Sequence, residues 1–124
     1  MLIGVDIVDI ARMKQVINRT PRFLHRVFTA QELDYCYRKK DPFPSLAARF
    51  AAREALRKID NVFIKGVRFH DSEVAVDPEG RPRLVLHGET LVKAREARIH
   101  NLDLSLSHSR EQAIAVVIAE RSDI

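Results

Sequence analysis

The 124-residue chain predicts a mixed α+β fold, a largely antiparallel sheet with a central helix and further packing helices. Three observations predict it. The stretch from about Leu46 to Ile59 reads as one helix, because alanine, leucine and arginine are strong helix formers and nothing β-branched interrupts them before Ile59. The opening MLIGVDIVDI is rich in β-branched residues and reads as a strand. Near the C-terminus Leu102, Leu104 and Leu106 alternate with Asp103, Ser105 and Ser107, and the apolar run Gln112 to Ala119 follows after only Ser109-Arg110-Glu111, the pattern of a hairpin.

Composition bounds the rest. The length suits one domain, and the 46% hydrophobic and 31% charged fractions, without low-complexity tracts, describe a chain folded throughout. Lysine and arginine number 21 against 17 acids, a formal charge of +4, which favours anionic partners: nucleic acid, phosphorylated metabolites or an acidic protein. The single Cys36 excludes an internal disulfide and a cysteine metal cage and fits a reducing compartment. Met1 to Ile10 is too short to span a membrane, contains Asp6 and Asp9, and lacks the basic start of a secretion signal. A cytoplasmic protein without a membrane segment is expected.

In chain order, both alternating faces of the first strand are mainly apolar, so it is expected to be buried on both sides with Asp6 at its middle. Asp9 precedes Ile10, Met13 and Ile17 at helical spacing and caps a helix carrying Arg12, Lys14 and Arg19. After Thr20-Pro21, Phe23, Leu24, Val27 and Phe28 form a short packed turn or helix. Thr29 and Glu32 make a capping box for a helix holding Leu33, Cys36 and Tyr37, whose solvated basic end, Arg38 to Lys40, is closed by Asp41-Pro42-Phe43-Pro44. Ser45 is the expected N-cap of the central helix. Val67 to Val76 reads as a strand, Asp77-Pro78-Glu79-Gly80 as a turn, and Arg83 to His87 as the returning strand. Gly88 breaks it, Leu91 to Ala97 fit a helix ending near Ile99, and Asn101 is its expected stop.

The central helix carries the candidate chemistry. At about 100° per residue, Arg49, Arg53 and Arg57 share one stripe, a charged edge suited to anions, while Glu54 lies on the adjoining side with Ala47, Phe50, Ala51 and Lys58. A carboxylate among apolar neighbours must be neutralised, paired or bound to a metal. Glu54 therefore reads either as half of an i, i+4 ion pair with Lys58 or as a functional carboxylate, and Asp6, a second inward carboxylate, favours a metal shared between them. His108, after an alternating strand and beside Arg110, reads as an exposed turn residue or an anion ligand. P-loop, dinucleotide, zinc and nucleophile-elbow signatures are absent.

Three segments, GVDIVDIAR, RFAAREALRK and LSLSHSREQAIAVV, together with VFTAQEL and DPEGRPRLVL, resemble the holo-acyl-carrier-protein synthases, small single-domain 4'-phosphopantetheinyl transferases, from about Leu2 to Glu120. The resemblance implies transfer of phosphopantetheine from coenzyme A to a serine of apo acyl carrier protein, with magnesium, releasing adenosine 3',5'-bisphosphate. It implies Asp6 and Glu54 as metal ligands and catalytic residues, and Lys58 as the catalytic cation on the phosphates. Arg49, Arg53, Lys58 and His108 would contact coenzyme A, and Arg12 the carrier protein. It also implies a homotrimer with active sites between subunits. Two departures stand out: Arg53 occupies a position where the family usually has lysine, and IDNVFIKG replaces a glycine-rich turn after Lys58. Two other readings compete, a basic nucleic-acid-binding domain using Arg49, Arg53, Arg57 and Arg38 to Lys40, and an impaired family member that only binds coenzyme A or a carrier protein. The first lacks an aromatic stacking motif, with two Tyr and no Trp.

Overall fold

Small side chains set the architecture. The computed structural model describes residues 1–123. Strands β1 (Leu2–Asp9), β4 (Ile99–His108) and β5 (Gln112–Arg121) form an antiparallel sheet in the order β1-β5-β4, and β2 (Ser72–Val76) pairs with β3 (Pro82–Leu86) as a separate antiparallel hairpin. The helices are α1 (Ile10–Arg19), α2 (Arg22–Val27), α3 (Ala30–Tyr37), α4 (Phe43–Ile59) and α5 (Gly88–Glu96). On the inner face of β5, Ala113, Ala115, Val117 and Ala119 are fully buried, and α4 lays Ala47, Ala48, Ala51, Ala52 and Ala55 towards the core. Alanine against alanine lets the helix approach the sheet closely. Gly4 carries this to its limit: a Cβ there would stand 2.1 Å from the carbonyl oxygen of Ala55, so only glycine permits β1 to pass beneath α4. That contact places Asp6 of β1 under the C-terminal half of α4.

The expected elements are present, with corrections at their edges. The Asp9 carboxylate accepts the N–H groups of Ala11 and Arg12, and the Thr29–Glu32 capping box closes with both of its bonds. The central helix starts at Phe43, three residues earlier than Leu46: Pro42 holds the cap position and Pro44 lies in the first turn, where its missing N–H leaves no bond unmade, so Ser45 is not the cap. The strand expected from Val67 begins only at Ser72, after a 3₁₀ turn at Phe69–Asp71. Gly88 opens α5 rather than merely ending β3. Asn101 does not stop a helix. It sits inside β4 at a φ of 52°, at an irregularity between His100 and Asp103 where the register against β5 shifts.

The largest correction concerns β1. Its inner face is covered by α4, but Ile3, Val5 and Ile7 are 65%, 48% and 55% exposed on the other. Their cross-strand partners Ile118, Val116 and Ile114 continue the patch on β5. Six β-branched aliphatics thus lie side by side on the open face of the sheet, an apolar surface of the kind that marks an interface.

Candidate active site

Asp6 and Glu54 come together. Both line one cleft of about 500 Å³ between β1, α1 and α4, with Val8, Met13, Val16, Phe23 and Phe50 as its apolar wall and Arg12 at its rim. Neither carboxylate is sealed in: the side chains of Asp6 and Glu54 are 19% and 29% exposed. This revises the inward placement expected for Glu54, whose apolar neighbours form one wall of an open cleft. Lys58 also pairs differently. Its ammonium donates to Asp6 Oδ1 at 2.9 Å and to the Val5 carbonyl at 3.0 Å, so the i, i+4 bond to Glu54 is not the one made. The cation nearest Glu54 is Arg57, at 3.9 Å, beyond hydrogen-bond length. One carboxylate is therefore neutralised by lysine while the other remains open to a cation.

Among the described residues no cluster of three or more His, Cys, Asp or Glu side chains could hold a metal. Two carboxylates facing one cleft fit the habit of magnesium, which takes one or two protein carboxylates and completes its shell with water and phosphate oxygens.

The arginine stripe divides. Arg53 is wholly buried, its guanidinium clamped on both oxygens of Glu32 while its Nε donates to the Phe69 carbonyl at 2.8 Å. Glu32 also accepts the N–H of Val74 at 3.1 Å and of Thr29 at 3.0 Å. Arg53 thus ties α4 to α3 and β2, and the expected coenzyme A contact is corrected: its donors are consumed inside the protein. A buried pair of this kind needs all of its hydrogen bonds to offset desolvation, and it has them. Beside it, Glu73 accepts from Thr29 Oγ1 at 2.8 Å and bonds His87 Nε2 at 2.8 Å. The buried carboxylates Glu32, Asp71 and Glu73 escaped sequence reasoning. Only Glu32 carried a signal, as the capping-box glutamate, and that signal describes a helix end rather than a burial partner for Arg53.

Arg49 behaves otherwise. Its guanidinium lies 4.7 Å over the Tyr35 ring, one Nη donates to the Ser45 carbonyl at 3.3 Å, and its Nε is buried without a partner. It lines a cavity of about 200 Å³ with Ser45, Gly80, Pro82, Ser107 and His108. His108, at the end of β4, faces the same space and bonds the Ser109 carbonyl through Nδ1 at 3.1 Å. A buried, unsatisfied N–H beside an imidazole is a place for an anion. Arg49 and His108 are therefore brought together, but on the β4 side, whereas Asp6 belongs to β1 at the opposite edge of the sheet. Burial pushes the Cys36 thiol pKa up, so it is a core residue rather than a nucleophile. In place of the glycine-rich turn, Asp60 caps a 3₁₀ turn at Asn61–Phe63, pinned by the fully buried Phe63.

The α+β scaffold thus carries a carboxylate pair in one cleft, a lysine bonded to one of the two, and an arginine–histidine pocket apart from them. The chain belongs to the 4'-phosphopantetheinyl transferase superfamily, whose model matches residues 2–117. It is 41% identical to the holo-[acyl-carrier-protein] synthase of Moorella thermoacetica over 119 residues, 96% of this chain and 93% of that protein. Among solved structures it resembles the Helicobacter pylori holo-[acyl-carrier-protein] synthase in complex with coenzyme A, with a TM-score of 0.78 and 31% identity over 96% of this chain and 100% of that one. The ACPS–CoA complex of Chronobacterium ammoniagenes superimposes with a TM-score of 0.86 at 30% identity, covering 98% and 97% of the two chains.

Proposed function

We propose that this chain transfers the 4'-phosphopantetheine group from coenzyme A to a serine of apo acyl carrier protein, releasing adenosine 3',5'-bisphosphate. The observation that carries the reading is the meeting of Asp6 and Glu54 at one cleft, with Lys58 bonded to Asp6, in a chain similar over nearly its whole length to holo-[acyl-carrier-protein] synthases. The serine oxygen forms the new phosphorus–oxygen bond, the bond to the adenosine bisphosphate breaks, and the serine proton leaves to solvent at the open cleft. Magnesium, held by Asp6 and Glu54, would supply Lewis-acid polarisation of the phosphoryl group and balance its charge. Lys58 hydrogen-bonds Asp6 and the Val5 carbonyl and offers its third donor to the phosphate oxygens as negative charge shifts to the leaving group. Arg49 Nε and His108 hold a second anionic group of coenzyme A. Arg12, at the rim of the cleft, meets the acidic carrier protein. The reaction belongs to the cytoplasm in this reading; among the described residues no helix is long and apolar enough to cross a membrane.

The same reading makes the protein a homotrimer. Ile3, Val5, Ile7, Ile114, Val116 and Ile118 supply the subunit contact, and the carboxylate edge of one chain adjoins the Arg49–His108 edge of the next. The nucleic-acid alternative loses ground because Arg53 is spent on Glu32 and Arg38 pairs with Asp34.

Incubating the protein with coenzyme A, magnesium and a panel of apo carrier proteins, then weighing the products, tests the activity. The gain of one phosphopantetheine is expected; unchanged mass across the panel sinks it and leaves the binding-only reading. The shared site has its own test. Lys58→Met and Arg49→Met chains, each inactive alone, are unfolded together and refolded as mixed trimers. Random mixing leaves both residues intact at about a quarter of inter-subunit sites, so about a quarter of parental activity returns. A mixture as inactive as its parts refutes a shared site.

A further inference from the structure

A third cavity lies along the same C-terminal half of α4, on the neighbouring helix face to the Asp6–Glu54 cleft. It measures about 140 Å³ and lies between α4, the segment 63–72 and α5. Leu56, Phe63, Val67 and Phe69 form its apolar walls. An engineered apolar cavity of about 150 Å³ accepts a benzene ring, so this one accommodates a single aromatic ring.

Its polar groups stand at two depths. Thr90, on the first turn of α5, is 2% exposed, and its Oγ1 is buried without a hydrogen-bond partner. Of the two such atoms among the described residues, the other is the Arg49 Nε assigned above. At the mouth stand Arg57 and Arg68, whose side chains are 34% and 76% exposed. Arg57 stacks on Phe69 at 5.1 Å, with its nearest carboxylate too distant for a hydrogen bond. Arg68 gives only one of its nitrogens to Asp71, at 3.1 Å. Guanidinium donors at the mouth, an apolar slot, and an unsatisfied hydroxyl at depth describe the occupant: negative at one end, flat and apolar through the middle, polar at the other.

We propose that this cavity is a binding site for a small aromatic carboxylate with a second polar group opposite the first, of the hydroxybenzoate class. The carboxylate meets Arg57 and Arg68, the ring packs between Phe63 and Phe69, and the distal hydroxyl pairs with Thr90 Oγ1. Occupancy needs neither magnesium nor coenzyme A, so the site stands whether or not the transferase reading does.

A titration of the protein with 4-hydroxybenzoate, followed by methyl and amide NMR, tests it. Saturable shifts centred on Leu56, Val67 and Thr90 are expected, with a Kd of about 1 mM or tighter for a ligand of this size. Benzoate, lacking the hydroxyl, binds about threefold to tenfold more weakly. Thr90→Val weakens 4-hydroxybenzoate by that factor and leaves benzoate unchanged, and it melts no lower than the parent, since it removes an unsatisfied buried hydroxyl. Arg57→Met weakens both acids about tenfold and spares 4-hydroxybenzyl alcohol, which carries no charge. Absence of saturation, shifts centred on Asp6 or His108, or equal effects of Thr90→Val on both acids overturn the assignment.

Discussion

Replacing Lys58 by methionine separates a structural cation from a catalytic one. Lys58 reaches Asp6 at 2.9 Å, but its side chain is 55% exposed and that of Asp6 19% exposed. An ion pair with one member this wet contributes about 0.2–1 kcal/mol, and methionine retains the stem that packs along α4. In magnesium-free buffer the variant should therefore lose no more than about 1 kcal/mol, a fall in Tm of about 3–6 °C for a chain of this size. Chemistry should respond far more. Removing one donor that strengthens its bond as charge develops costs about 10² to 10³ in kcat, while coenzyme A affinity should hardly change. Thermal unfolding without magnesium, run beside single-turnover transfer at saturating coenzyme A, reads both quantities. A fall of several kcal/mol with near-normal turnover would show that the Lys58–Asp6 contact is a structural bridge and refute the argument.

Three further outcomes are expected. Glu32→Gln leaves Arg53 buried without a counter-charge and should cost about 3–5 kcal/mol in denaturant titrations; replacing both, Glu32→Leu with Arg53→Met, should recover most of it, and a loss under about 1 kcal/mol would contradict the burial. Arg12→Glu should raise the KM for the carrier protein and spare that for coenzyme A, because a rim charge acts on association; equal damage to both would count against the division. Asp60 is held below the usual carboxylate pKa by the Val62 N–H and by Arg121, so its stabilisation is complete above that usual value and is lost as pH falls through the depressed one. Asp60→Asn should accordingly be less stable than the parent at neutral pH, with the gap closing in acid; a gap independent of pH would exclude the charge as its cause.

Local chemistry was legible in the sequence wherever a single residue decides it. The Asp9 cap, the Thr29–Glu32 box and the C-terminal hairpin were readable because each rests on neighbours in the chain. The Asp6–Glu54 cleft was readable as two carboxylates in apolar company. What periodicity could not supply was the far side of each contact. Both faces of β1 look alike in sequence, yet only one is covered, because α4 packs on a single side of the sheet. Lysine one turn after glutamate suggests an intrahelical pair, and the nearer carboxylate came instead from a strand more than fifty positions away. Asn101 carries the sequence signal of a helix stop, whereas the positive φ it favours serves a strand irregularity.

The three arginines show how position on one helix divides residues of one kind. Spaced four apart, Arg49, Arg53 and Arg57 drift by about 40° per step around α4, so they cannot all meet the same neighbour. The middle one falls under α3 and β2, where Glu32 waits with Phe69, and becomes part of the core. Arg49, a turn earlier, is covered by the Tyr35 ring, which takes no hydrogen bond from its Nε and so leaves that donor for a ligand. Arg57, a turn later, passes beyond α3 and reaches the mouth of the cavity lined by Phe63 and Thr90. The formal charge of +4 therefore overstates a continuous anionic-ligand surface: two of the three charges are oriented into separate pockets and the third is cancelled inside the protein. A polyanion that needs an unbroken basic stripe has no such stripe on α4: Lys58 is turned to Asp6 of β1, and Arg49, nine residues earlier, to the Tyr35 ring of α3.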